Sequence, residues 1–132
     1  MMGYGLRDAQ LSKATALPAS AGASNGASID VGGSRLAGCD VLLTAPALRA
    51  EQLPVGATAT YSIETSDTPG FETKRALTGS AIVQTGDGNA VPSGVARMRL
   101  PRDCQRYIRA TVVTGNGALD CSAATMTLEL LM

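Results

Sequence analysis

The sequence has no histidine, no tryptophan, and only three tyrosines and one phenylalanine among 132 residues. The missing histidine removes the commonest general base, the Ser-His and Cys-His nucleophile pairs, and most transition-metal sites. A carboxylate pair would still suit a sugar substrate, but the acidic residues are scattered singly and their spacing singles out no pair. The expectation is a protein with no catalytic residues, no metal and no cofactor. Charge of one sign is lacking too, since eleven basic residues balance eleven acidic ones. That balance argues against gripping nucleic acid or an anionic membrane, so neither is an expected partner.

Long apolar runs are absent, with no stretch near the ~20 residues that cross a bilayer as a helix. Arg7 and Lys13 precede an Ala-rich segment, but Pro18, Ser20, Gly22, Ser24, Asn25 and Gly26 interrupt it. It makes a poor secretion signal, and a cytosolic start is expected. No Asn-x-Ser/Thr acceptor occurs. The three cysteines, Cys39, Cys104 and Cys121, lack metal-ligand spacing. They read as reduced buried thiols, with a Cys104–Cys121 bridge as the alternative.

What is present is alternation. Residues 1–27 are rich in Gly, Ala and Ser and read as an extended N-terminal arm with little core of its own. From residue 28 to 132, short apolar runs alternate with turn signals, as in a β-sandwich. Ile29 and Val31 open the first run. Val41 to Leu48 contains Pro46, which cannot donate to a ladder, so it reads as an edge strand or a strand running into a loop; Ala47 to Leu53 alternatively forms a helical turn or two.

Ala57 to Thr65 has period two, with Ala59, Tyr61 and Ile63 on one face and Thr58, Thr60, Ser62 and Glu64 on the other. Ser66 to Gly70 is a turn. Gly79 to Thr85 is another short run, closed by Gly86-Asp87-Gly88-Asn89. That tetrapeptide resembles part of a calcium or phosphate loop but lacks the remaining ligands of either, so it reads as a plain turn.

Val95 to Leu100 points Arg97 and Arg99 outward. Arg106 to Val113 runs into Gly115-Asn116-Gly117, a strong hairpin signal. Ala124 to Met132 closes the chain, with Met126, Leu128 and Leu130 on its inner face. Seven or eight strands and no long helix make an antiparallel β-sandwich. Few large side chains are available for its core, which points to a partner surface that supplies further burial.

One charge cluster stands out: Arg97, Arg99, Arg102, Arg106 and Arg109, offset nearby by Asp103 and Glu129. It is either the solvated outer face of two strands or a docking surface for a protein patch rich in carboxylates, which the guanidinium fork binds well. A glycan-binding reading needs exposed aromatic platforms. Only Tyr4, Tyr61, Phe71 and Tyr107 are available, and alternation turns Tyr61 inward.

Several short segments together resemble one viral family. They are Asp8-Ala9-Gln10, Ser28-Ile29-Asp30-Val31-Gly32, Ile63-Glu64-Thr65-Ser66-Asp67 with Phe71, the Leu100-Pro101 stop, and Arg106-Tyr107-Ile108-Arg109 before a Gly-rich hairpin. In order and spacing they are similar to the capsid cement (decoration) proteins of tailed bacteriophages, of the Bordetella podophage type. Val112 stands where relatives often carry an aromatic, and Cys104 and Cys121 are further departures.

The resemblance implies an antiparallel jelly-roll sandwich on the outside of a virion's capsid, made in the bacterial host cytoplasm. Its partners would be the major capsid protein, whose neighbouring subunits it bridges, and a second copy of itself across a two-fold axis. Met2 to Ser28 and the Arg97 to Arg109 surface are the expected attachment elements. The rival expectations are a glycan- or receptor-binding module and a head-completion or tail component.

Overall fold

The computed structural model describes residues 12–31, 39–77, 79–101, 104–115 and 117–131. They form ten antiparallel strands: β1 (Ser12–Ala16), β2 (Gly22–Asn25), β3 (Ile29–Asp30), β4 (Asp40–Ala45), β5 (Thr58–Ser66), β6 (Lys74–Ala76), β7 (Ile82–Thr85), β8 (Gly94–Arg99), β9 (Tyr107–Gly115) and β10 (Thr125–Leu131). One sheet has the order β1-β10-β4-β8. In the other, β2 and β3 both pair with one side of β9, β5 pairs with its other side, and β6 and β7 share the far side of β5. Ten strands thus occupy eight lanes, four per sheet. Apart from the step from β5 to β6 and β7, successive lanes alternate between sheets, which is the double Greek key of a jelly roll.

Alternation is what makes this sandwich close. Ala59, Tyr61 and Ile63 of β5, Ile108, Ala110 and Val112 of β9, Val41 and Leu43 of β4, and Met126, Leu128 and Leu130 of β10 all lie in one buried core. Each strand turns every second residue toward the facing sheet, as a period of two requires. Tyr61 is the largest fully buried side chain. Its hydroxyl donates to Gln84 Oε1 at 2.6 Å, and Gln84 Nε2 donates to the carbonyls of Pro46 and Pro92 at 2.8 and 3.1 Å. A buried phenol and a buried amide therefore satisfy each other and pin two loops.

Several expectations from sequence change here. Residues 12–25, assigned to the arm, are extended but built into both sheets: β1 pairs with β10 and β2 with β9, and Leu17 between them is buried in the core. Weak hydrophobic periodicity did not prevent this, because backbone pairing to an existing strand needs no large side chains. β4 is an interior strand, between β10 and β8. Pro46 is tolerated because it lies one residue past Ala45, the last paired position. Residues 49–53 make a single turn, with the amides of Gln52 and Leu53 both donating to the Arg49 carbonyl.

The largest correction concerns Gly115 to Gly117. No hairpin forms, since β10 belongs to the other sheet. Both sides of β9 are already taken by β2 with β3 and by β5, so the chain has to cross the sandwich. Gly117 does adopt a positive φ of 92°, and Asn116 lies outside the described residues. The crossing is anchored by Leu119 N–H to the Gln52 carbonyl and Cys121 N–H to the Pro18 carbonyl, both at 3.1 Å. Cys104 and Cys121 are buried thiols and Cys39 a half-buried one, with no disulfide among them.

Candidate docking surface

β8 and β9 are neighbours in sequence but lie in opposite sheets, so the arginine cluster is divided. Arg97 and Arg99 lie on the outer face of the four-stranded sheet. Arg97 Nε donates to Asp40 Oδ2 at 2.8 Å, and Arg99 Nε stands 3.9 Å from Asp40 Oδ1. Arg106 precedes β9 and grips Asp30 of β3 through Nε and the second terminal nitrogen at 3.0–3.3 Å, with its guanidinium 5.2 Å from the centroid of Tyr107. The Asp30 carboxylate raises the Arg106 pKa further. Arg109 lies on the outer face of the six-stranded sheet. Arg102 lies outside the described residues, as does Asp103.

Among the described residues, one continuous arginine surface is therefore not formed. A layer of core separates Arg97 and Arg99 from Arg109, and all four described arginines of the group face carboxylates of their own chain. Sequence reasoning missed those partners, Asp30, Asp40 and Glu64, because each is far away along the chain. The distances are 76, 57 and 45 positions for the pairs with Arg106, Arg97 and Arg109.

Arg109 has the most enclosed position. It donates from Nε to Glu64 Oε1 at 3.0 Å, its guanidinium lies 4.2 Å from the Phe71 ring centroid, and the Arg109 and Glu64 side chains are 14% and 15% exposed. Phe71 reaches this place at a φ of 55°, unusual for a bulky residue. The loop that carries it is tied down on both sides: Ser66 Oγ donates to the Thr73 carbonyl, Thr68 Oγ1 to Glu72 Oε1, and the Phe71 amide to the Thr68 carbonyl. Next to it, Thr65 Oγ1 donates to the Tyr107 carbonyl and accepts from the Gln105 amide, each at 2.9 Å, while Gln105 Nε2 donates to Asp67.

These contacts join two of the family-like segments. Glu64 is the cross-strand partner of Arg109, Thr65 of Ile108, and Ser66 of Tyr107. Ile63 to Asp67, Phe71, and Arg106 to Arg109 thus form one packed unit in which a loop closes over its own sheet.

The rest of that outer face has a different character. Three cross-strand rows cover it: Thr85, Thr58 and Gly115; Val83, Thr60, Val113 and Ala23; and Ser62, Thr111 and Asn25. No charged residue stands in them. Val83 and Val113 are 63% and 52% exposed, and Val55 and Leu119, in loops at the same end of β5 and β9, are 73% and 53% exposed. Alternation along β9 was the signal for Val113, but the two outer lanes of the patch follow only from the pairing of β7 with β5 and of β2 with β9.

Of the described aromatics, Tyr61 and Phe71 are buried and Tyr107 is half-buried beside Arg106. Tyr4 lies outside the described residues. Among the described residues, no group of His, Cys, Asp or Glu is placed to hold a metal ion, and no helix is long and apolar enough to cross a membrane.

No protein-family model and no curated protein matches the sequence. Solved structures with related sandwiches include one described as "CBM4 structure and function", at 11% identity and a TM-score of 0.48, covering 81% of this chain and 56% of that one. TmCBM61, solved in complex with β-1,4-galactotriose, is 11% identical with a TM-score of 0.37 over 89% of this chain and 68% of its own. Eiger TNF from S. frugiperda is 8% identical with a TM-score of 0.38 over 92% of each. This chain thus spans little more than half of the first of these proteins. Likeness at this level says nothing about what the chain binds.

Proposed function

We propose that this jelly roll is a structural protein of a tailed-phage virion. It binds the outside of the capsid, bridges neighbouring major capsid subunits and stabilises the shell, and it performs no reaction. The observation that carries the reading is the convergence of the resembling segments. Ile63 to Asp67 with Phe71, and Arg106 to Arg109, are some 40 positions apart along the chain yet pack as one unit across β5 and β9. Short matches that fall on one packed unit support the family resemblance better than scattered ones would. Many modest contacts repeated by the symmetry of a shell would then clamp capsomers together through multivalency, with paired copies meeting across a two-fold axis.

The test is occupancy. Purified protein is added to heads of the phage that encodes it, and bound copies are counted on a stained gel. Hundreds of copies per head, together with greater resistance of the shell to heat, are expected. A handful of copies would assign it to head completion or the tail, and saccharide binding without head binding would assign it to glycan recognition; either overturns the proposal.

A further inference from the structure

The strongest unassigned feature is the uncharged part of the six-stranded sheet's outer face. Phe71 and its loop cover the other end of that face, whereas Val83, Thr60, Val113 and Ala23 are left bare in one cross-strand row. Resting on the capsid reading above, we infer that this patch, and not the arginines, is the surface that meets the shell. Its occupant is an uncharged strip of apolar and hydroxyl-bearing side chains on the capsid subunit.

Charge and area both point that way. A charged partner strip would lose its water against the patch and find no counter-charge in the three rows, a poor exchange. The arginines are less suited, because docking through them means breaking pairs already formed with Asp30, Asp40 and Glu64. At ~4.8 Å between lanes and ~6.8 Å between successive same-face residues, the three rows, with three, four and three positions, span about 330 Å². That is less than half of the ~800 Å² per partner of a standard stable interface. A patch this small is weak for a free dimer but sufficient on a lattice that presents the same contact many times and lets small gains accumulate. The occupant is therefore a shell of repeated subunits and not a lone second copy.

Two variant pairs decide it, V83K/V113K and R97S/R99S, with V83T/V113T as a variant that keeps β-branched shape in case lysines disturb folding. Each is added to heads of the encoding phage at low and high salt. The expected result is at least tenfold weaker binding for V83K/V113K, a smaller loss for V83T/V113T, and binding within twofold of the parent for R97S/R99S. Parent binding should change little between ~0.05 and ~0.5 M salt, because no exposed ion pair is made. Normal binding by V83K/V113K with loss in R97S/R99S would overturn the assignment. So would a solution dimer abolished by V83K/V113K while head occupancy is unchanged. If the parent chain leaves heads bare, the capsid reading itself fails, and this face loses its partner with it.

Discussion

The two ends of one sheet face have been treated in opposite ways. At one end the chain folds a loop over itself, so that Phe71 covers Arg109, and Arg109 is held by Glu64 with both side chains nearly enclosed. At the other end the same strands, β5 and β9, leave Val113 and its neighbours open to water. Both ends have the same backbone ladder beneath them. The difference lies in what must be hidden: a charged pair on a sheet surface gains from exclusion of water only if its hydrogen bonds are complete, whereas valine needs no partner group and stays available for one. The covered end serves the fold, and the bare end is the one we propose for association.

That contrast breaks most sharply at the covered end. Arg109→Ala leaves Glu64 enclosed with Lys74 Nζ 3.7 Å away as a poorer substitute and takes away the stacking partner of Phe71. Removing one member of such an enclosed pair should lower stability by about 3 kcal/mol, a fall of roughly 10 °C in melting temperature for a domain of this size. Arg109→Lys should recover only part of it, since an ammonium cannot both stack flat and point a fork at the carboxylate. A melting curve unchanged by Arg109→Ala would show that the enclosure contributes nothing, and the two ends would then differ in appearance only.

Beneath the bare end lies a second point of difference, in alkali. Burial first, and Cys121 second, push the Tyr61 hydroxyl up, while burial first, and Asp120 second, push the Cys121 thiol up. Groups that hold their protons more tightly when folded give stability that is complete below their unfolded pKa values, about 8.5 for a thiol and 10 for a phenol. It is lost as pH rises past them. The protein should therefore melt at steadily lower temperature above about pH 8.5, and Tyr61→Phe should reduce the steepness above pH 10. It should also lower stability at neutral pH by about 1–2 kcal/mol, because Gln84 Oε1 loses its donor. Equal steepness in the parent and Tyr61→Phe would remove Tyr61 from the alkaline response.

How much of this contrast was legible in the sequence depends on distance along the chain. Alternation identified the inner faces of β5 and β10 and the outward direction of Arg97 and Arg99, because a period of two is a local property. It also supported the sandwich. It could not show that Arg97 and Arg109 lie in different sheets, since that depends on which lane each strand enters. The Asn-Gly signal failed for the same reason: Gly115 to Gly117 has the local chemistry of a hairpin, but both sides of β9 are occupied. Residues 12–25 look like an arm in the sequence because their small side chains carry no hydrophobic pattern, although edge pairing needs only backbone. The enclosure of Arg109 was half legible, as Glu64 and Phe71 were noted without the pairing that joins them.

The smallest expected effect is at the bare end, and it is small for a reason that sharpens the comparison. Val83→Thr and Val113→Thr replace a methyl by a hydroxyl that stays in water, keep the β-branched shape that strands favour, and disturb no contact of the core. Each should change stability by about 0.5 kcal/mol or less, in either direction, in thermal or urea melts. At the covered end Arg109→Ala is expected to cost several times more. If the valine substitutions instead destabilised the isolated protein by as much as Arg109→Ala, the patch would be part of the folding core and not a surface held open for a partner. Near-silence in the melt combined with weaker attachment to a shell is the result that separates the two ends by what they do.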